Sequence, residues 1–139
     1  MLGAIAGDII GSVYEHRNIK NTQFPLFHPL CRFTDDTVQT VALAESILDG
    51  IPYARLLKSY YRIYPHAGYG GMFHKWAQSE GNWPYNSFGN GLAMRVSPLG
   101  FIFSSLEEVL TQAQCVPRSC TTTPRASRVP KPSRRPSSI

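Results

Sequence analysis

Long apolar runs are missing from this sequence of 139 residues. No stretch approaches the roughly 18 consecutive apolar residues of a membrane-spanning helix. The opening MLGAIAGDIIGS also lacks both a basic segment and a small-residue cleavage site. These absences predict a soluble, cytoplasmic protein without a membrane partner. The hydrophobic content of 42% and the aromatic content of 12% are typical of one globular domain with a sizeable core.

Cysteines are few and do not form a pattern. The three, Cys31, Cys115 and Cys120, are an odd number without a CxxC spacing. This arrangement argues against a disulfide framework and against a zinc knuckle. This cysteine content fits a protein of a reducing compartment.

Acidic residues are also scarce, and the formal net charge is +5. Residues 115–139 hold six of the fourteen Lys and Arg and no acid, so residues 1–114 carry eight basic and nine acidic residues, a net charge of −1. The basic segment contains five prolines and five serines, a composition that predicts disorder. We therefore divide the chain into a helical domain, 1–114, and a disordered basic tail, 115–139. No aromatic residue accompanies the charges of the tail, so we expect no specific nucleic acid binding.

The pattern of apolar residues predicts an all-α fold, since no parallel-strand signal occurs. Leu2, Ile5, Ile9 and Val13 follow the spacing of a buried helix. Asp8 and Glu15 are seven residues apart and share one side of that helix if it continues past Gly11. Further helices are predicted after an N-cap at Thr34, over Tyr53 to Ile63, over MFHKWAQ, within LAMR, and over LEEVLTQAQ after Ser104 or Ser105. In MFHKWAQ, we expect Met72, Phe73 and Trp76 to share a core face.

Two neighbouring carboxylates, Asp35 and Asp36, follow Thr34 at the start of the second predicted helix. Oxygen ligands of this kind suit a hard cation such as Mg²⁺. A plainer interpretation is that Thr34 caps the helix and the two acids complement its dipole. The spacing alone favours the plainer interpretation, because acids are common in a first helical turn.

Two glycine-rich stretches also allow two interpretations. SFGNG, residues 87–91, offers backbone N–H groups ahead of a helix and could bind phosphate oxygens, with Arg95 adding a positive charge, or it could be an ordinary turn. AGYGG, residues 67–71, is a close-approach loop or a turn. Ser87 has no evident His or Asp partner, so a hydrolase triad has no support.

Four stretches taken together resemble the N-terminal half of the ADP-ribosylglycohydrolase family, of the dinitrogenase-reductase-activating and ADP-ribosylhydrolase type. In chain order they are GAIAGDIIGSVYE, FTDDTVQTVALAESIL, AGYGGMFHKW and NSFGNGLAMRVSPLG. The resemblance implies a multi-helix bundle with two Mg²⁺ ions, or Mn²⁺ in some members, at the bottom of a cleft. It also implies hydrolysis of an ADP-ribosyl bond on a modified protein or small molecule, and leaves the oligomeric state open.

The resemblance assigns roles to particular residues. Thr34, Asp35 and Asp36 match the family's first metal-ligand motif, and Glu15 matches the acid beside the metals, so that Glu15 and Asp35 become the candidate catalytic residues. Asp8 belongs to the same motif as Glu15, with a role in helix packing or in supporting the ligands. The candidate substrate-binding residues are Ser87, Phe88, Gly89, Asn90 and Gly91 for the diphosphate, and Gly68, Tyr69, Gly70 and Gly71 near the distal ribose.

The chain departs from the family pattern in its C-terminal part. Family members are about twice as long and carry a second pair of metal ligands that has no counterpart here, since the last acids are Glu107 and Glu108. We therefore expect little or no turnover from this chain, with a non-catalytic ADP-ribose-binding fragment as the alternative function. One hypothesis for the tail is a frameshifted translation of a family gene. Among the functions considered, binding of nucleic acid through the tail is the least favoured.

Overall fold

A computed structural model describes residues 1–82 and 90–116. Within those ranges the chain forms α-helices and one 3-10 helix and no strand, which confirms the all-α prediction. The α-helices are α1 Leu2–Gly11, α2 Asp35–Asp49, α3 Tyr53–Ile63, α4 Gly71–Gln78, α5 Leu99–Ile102 and α6 Leu106–Cys115, and the 3-10 helix is Asn90–Arg95.

Local sequence explains where the helices begin and end. Thr34 accepts a hydrogen bond from the Asp36 backbone N–H and caps α2, as predicted, and Gly50 ends that helix at a φ of 66°. Ser105 and Glu108 form a capping box at the start of α6. The predicted bounds of the third helix, Tyr53 to Ile63, are confirmed.

Helix α2 is the centre of the fold. One core cluster joins it to α3 and α4 and contains Ala42, Leu57, Tyr61, Phe73 and Trp76 among others. A second cluster joins its other face to α5 and the end of α6, through Leu43, Ile47, Tyr53, Leu99 and Val116. This burial fixes α2 and, with it, the position of the acids at its N-terminus.

Two packing predictions are wrong. Helix α1 forms as expected, but it contains no buried residue, and Leu2 is 84% exposed. Within the described ranges α1 packs chiefly on α2, so its apolar stripe has too little surface to be buried against. In α4, Phe73 and Trp76 are buried, whereas Met72 is 45% exposed and lines a cleft.

The helices of the described part are short or polar. None of them, over residues 1–82 and 90–116, is both long and apolar enough to cross a lipid bilayer. Within these ranges Cys31 is a free thiol. Cys120 and most of the predicted tail lie outside the described residues.

Candidate functional site

An acidic cleft of about 790 Å³ lies between α1, the start of α2 and the glycine loop before α4. Four carboxylates line it: Asp8 from α1, Glu15 from the segment after α1, and Asp35 and Asp36 from the first turn of α2. Helix α1 ends at Gly11, so the condition under which Asp8 and Glu15 would share one side of that helix is not met. Glu15 nevertheless lines the same cleft as Asp8.

Thr34 and Asp8 join α1 to α2 at the base of this cleft. Asp8 accepts hydrogen bonds from the backbone N–H of Thr34 at 2.8 Å and of Thr37 at 3.2 Å, and from both threonine hydroxyls. The Thr34 side chain is buried and also caps α2. Its hydroxyl is therefore engaged in holding the two helices together, and Thr34 is not among the residues that line the cleft.

Asp35 is the most perturbed acid of the cleft. Burial, and then the negative charges of Asp36 and Glu15, raise its pKa to about 6, against hydrogen bonds from its own backbone and from Gln39 that lower it. The pKa of Asp36 is also raised, by burial first and then by Asp8 and Glu15. The carboxylates are thus close enough to repel one another. A cation in the cleft would relieve that repulsion.

A buried polar link lies behind Asp35. Gln39, one helical turn along α2, donates from Nε2 to Asp35 Oδ2 at 2.8 Å and accepts at Oε1 from the Nη1 of Arg95. Gln39 is 1% exposed and Arg95 2% exposed. The sequence analysis considered Arg95 as a positive charge beside a bound anion, and in the structure this side chain is buried and donates to Gln39. The link instead holds the Asp35 carboxylate in one orientation.

The glycine loop before α4 forms the opposite wall. Gly68 has a φ of 99°, a conformation that L-residues with a side chain rarely adopt, and a Cβ at this position would lie 3.9 Å from Asp35 Oδ1. Gly70 and Gly71 also line the cleft. The sequence therefore has glycine where the backbone turns beside the acid.

Tyr69 packs beneath this loop. Its ring stacks on Phe73 with centroids 5.1 Å apart, and its hydroxyl is buried without a hydrogen-bond partner in the described part of the chain. Burial, and then the charge of Asp35, raise the pKa of Tyr69. Tyr69 is absent from the residues that line the cleft. The ring supports the loop from below.

Two residues of the predicted diphosphate loop, Asn90 and Gly91, begin the 3-10 helix and line the cleft. The other three, Ser87, Phe88 and Gly89, lie outside the described residues. The structure thus brings Glu15, Asp35 and Asp36 to one cavity with the described glycine-loop residues that line it, namely Gly68, Gly70, Gly71, Asn90 and Gly91. Sequence reasoning missed Gln39, although its i+4 spacing from Asp35 is a readable signal.

Comparison with known proteins agrees with this arrangement. The family model described as ADP-ribosylglycohydrolase matches residues 1–127. The chain belongs to this family.

Curated relatives of the family are similar to the chain over most of its length. ADP-ribosylhydrolase ARH3 of Mus musculus is 28% identical over 144 residues, covering 78% of this chain and 39% of that protein. The corresponding protein of Bos taurus is 29% identical over 148 residues, covering 78% and 40%. That of Xenopus tropicalis is 26% identical, covering 82% and 41%. The chain thus spans about two-fifths of the length of these relatives. No solved structure gives a significant match.

The donor set of the cleft can be compared with the metal that the family resemblance implies. Carboxylate oxygens fit a hard divalent cation in type. In number they fall short, because residues 1–82 and 90–116 contain no group of three or more His, Cys, Asp or Glu side chains that could hold one ion. The adjacent Asp35 and Asp36 are the best-placed pair, and the engaged hydroxyl of Thr34 adds little.

Proposed function

We propose that this chain forms the acidic half of a site that binds ADP-ribose and acts on the glycosidic bond by which ADP-ribose is attached to a protein or small molecule. The observation that carries the proposal is the convergence of Glu15, Asp35 and Asp36 with Gly68 and Gly91 on one cleft. Its volume of about 790 Å³ lies within the usual range for small-molecule sites.

The chemistry of the cleft suits cleavage of a glycosidic bond. Breaking the bond at the anomeric carbon builds positive charge on the sugar, and carboxylates beside it stabilise that charge. We assign to Glu15 the role of activating the water molecule that attacks this carbon. We assign Asp35, which accepts a hydrogen bond from Gln39, to orienting the sugar.

The cofactor we propose is Mg²⁺, held by Asp35 and Asp36, with Thr34 fixing the turn that carries them. A bound divalent cation would supply an ordered water molecule and would bind the sugar hydroxyls. The protein contributes the two carboxylates, the hydrogen bond from Gln39 that holds Asp35, and the glycines that line the opposite wall of the cleft. We assign the diphosphate oxygens to the backbone N–H groups of Asn90 and Gly91, which line the cleft.

A non-catalytic ADP-ribose-binding role is the second candidate, and the short donor set favours it. Mg²⁺ requires near-octahedral oxygen coordination, so two carboxylates leave most positions to water. For that reason we propose that the chain by itself binds ADP-ribose and turns over its substrate slowly or not at all.

Two measurements on the purified chain separate these functions. Calorimetry with ADP-ribose measures binding, and release of ADP-ribose from an ADP-ribosylated peptide, with and without Mg²⁺, measures turnover. Binding without release supports the second candidate, and release that requires Mg²⁺ and is lost in Glu15→Gln supports the enzyme. Absence of both contradicts the proposal. Asp49→Asn is the matched control, because Asp49 is an exposed acid at the far end of α2.

A further inference from the structure

A second cavity adjoins the acidic cleft. It has a volume of about 510 Å³ and is lined by the segment that follows α1 and by residues from the range 28–32, which return to the end of that helix. We call it the basic pocket because its charged lining residues are Arg17 and Arg32, accompanied by the imidazoles of His16 and His28. Among the described residues that line it there is no acid. Its charge is thus opposite to that of the cleft next to it.

Hydrogen bonds to the backbone give the basic pocket a defined wall. The backbone N–H of Arg32 donates to Ser12 Oγ at 3.1 Å, and Ser12 Oγ donates to the carbonyl of Ile9 in α1 at 2.9 Å. The backbone N–H of Leu30 donates to His28 Nδ1 at 3.2 Å.

Tyr14 separates the basic pocket from the cleft and lines both. Its hydroxyl donates to the carbonyl of Pro25 at 3.4 Å, and its ring meets Phe24 edge to face with centroids 5.3 Å apart. Glu15 follows Tyr14 in sequence and lines the cleft, whereas His16 lines the basic pocket. An extended ligand bound in the cleft can therefore reach the basic pocket by passing over the Tyr14 ring.

We propose that the basic pocket binds the acidic flank of an ADP-ribosylated polypeptide, an aspartate or glutamate close to the modified residue. The proposal rests on the proposed function, since it assigns the cleft to the ADP-ribosyl group. Two arginines recognise carboxylates through paired N–H donors. The apolar side chains of Val13, Ile19 and Leu30, which also line the pocket, suit the aliphatic stem of a glutamate.

The test uses the purified full chain and two fluorescein-labelled peptides. Each peptide carries one ADP-ribosyl group, and they differ only in having glutamates or glutamines beside it. Fluorescence anisotropy at low ionic strength measures the affinity of each. The variant Arg17→Gln/Arg32→Gln removes the two permanent charges of the pocket. The matched control is Arg55→Gln/Arg62→Gln, which removes two exposed arginines of α3.

We expect the chain to bind the glutamate peptide about three- to tenfold more tightly than the glutamine peptide, the range expected for two exposed ion pairs. The preference falls to near unity in Arg17→Gln/Arg32→Gln and persists in the control variant. Equal affinity for both peptides, or an equal loss of preference in the control, overturns the proposal.

Two further probes separate this inference from the function beneath it. If ADP-ribose alone loses affinity in Arg17→Gln/Arg32→Gln, the pocket holds the diphosphate and the proposal is wrong. If ADP-ribose does not bind at all, but an unmodified glutamate peptide binds and loses affinity in the same variant, the proposed function fails and acidic recognition by the pocket stands. Circular dichroism of each variant checks that it is folded.

Discussion

Asp8 accepts hydrogen bonds from the backbone and the side chain of Thr34, with 2.8 Å between the Thr34 nitrogen and Asp8 Oδ2. One carboxylate thereby ties α1 to the residue that caps α2 and positions the two acids of the cleft. Because Asp8 binds Thr37 in the same way, its first role is structural. The geometry of the cleft depends on that tie.

Replacing Asp8 by alanine tests whether its hydrogen bonds hold α1 and α2 together. Asp8→Ala removes the acceptor for four donors on Thr34 and Thr37, so we expect the free energy of unfolding to fall by about 2–4 kcal/mol. Urea denaturation measures the change. The control Asp49→Ala, at an exposed position of α2, changes stability by about 0.5 kcal/mol or less. Equal effects of the two substitutions would show that Asp8 does not join the helices.

Stability should depend on the ionisation of Asp35. Its pKa is about 6 in the fold against 3.8 for an unperturbed aspartate, so the fold favours the protonated acid. The contribution of the protonated Asp35 to the free energy of unfolding is fully present below about pH 4 and is lost as the pH rises through about 6. After allowance for solvent screening it amounts to about 1–2 kcal/mol.

The variant Asp35→Asn isolates this contribution, because asparagine stays neutral and can still accept from Gln39. Between about pH 4 and pH 7.5, we expect the loss of unfolding free energy to be smaller in Asp35→Asn than in the native chain by about 1–2 kcal/mol. Urea denaturation at both pH values, without divalent cations, measures it. An unchanged pH dependence would mean that burial and the neighbouring negative charges do not raise the pKa of Asp35.

Gly68 and Gly70 offer a matched pair of substitutions in one loop. Gly68 has a φ of 99° beside Asp35, whereas Gly70 has a φ of −60° and open space where a Cβ would lie. Gly68→Ala should lower the unfolding free energy by about 1–2 kcal/mol, since alanine is strained in the left-handed region. Gly70→Ala should leave it unchanged or raise it slightly. Thermal denaturation compares the two, and a larger loss for Gly70→Ala would contradict the loop geometry.

Gln39 should matter more than an ordinary buried amide. In Gln39→Leu the Asp35 carboxylate loses a donor and Arg95 loses an acceptor, with an expected loss of about 1–3 kcal/mol in the free energy of unfolding, measured by urea denaturation. The same substitution at Gln78, an exposed residue at the end of α4, is the control. If both variants are equally stable, the buried link does not stabilise the fold.

Local signals predicted much of this structure. Thr34 as the cap of α2, the extent of α3, and Ser105 as one of two candidate caps of α6 all follow from neighbouring residues in sequence. Asn90 and Gly91, which the family resemblance assigns to the diphosphate, line the cleft. The roles of these residues remain predictions.

The errors concern contacts between distant parts of the chain. Arg95 lies buried against Gln39, 56 residues away in sequence, and no local pattern distinguishes a buried arginine from an exposed one. The apolar stripe of α1 predicts burial, but which surface covers it depends on the tertiary arrangement. The basic pocket is equally invisible in sequence, because it forms only when residues 28–32 return to the end of α1.

The central claim is that the acidic cleft binds ADP-ribose, and nuclear magnetic resonance tests it most directly. Titration of ¹⁵N-labelled chain with ADP-ribose in the presence of Mg²⁺ reports on every backbone amide. We predict saturable shifts at Glu15, Asp35, Gly68, Gly70 and Gly91, with the amides on the far side of α3 unmoved. Absence of saturable shifts at these residues, or shifts confined to the basic pocket, would contradict the account.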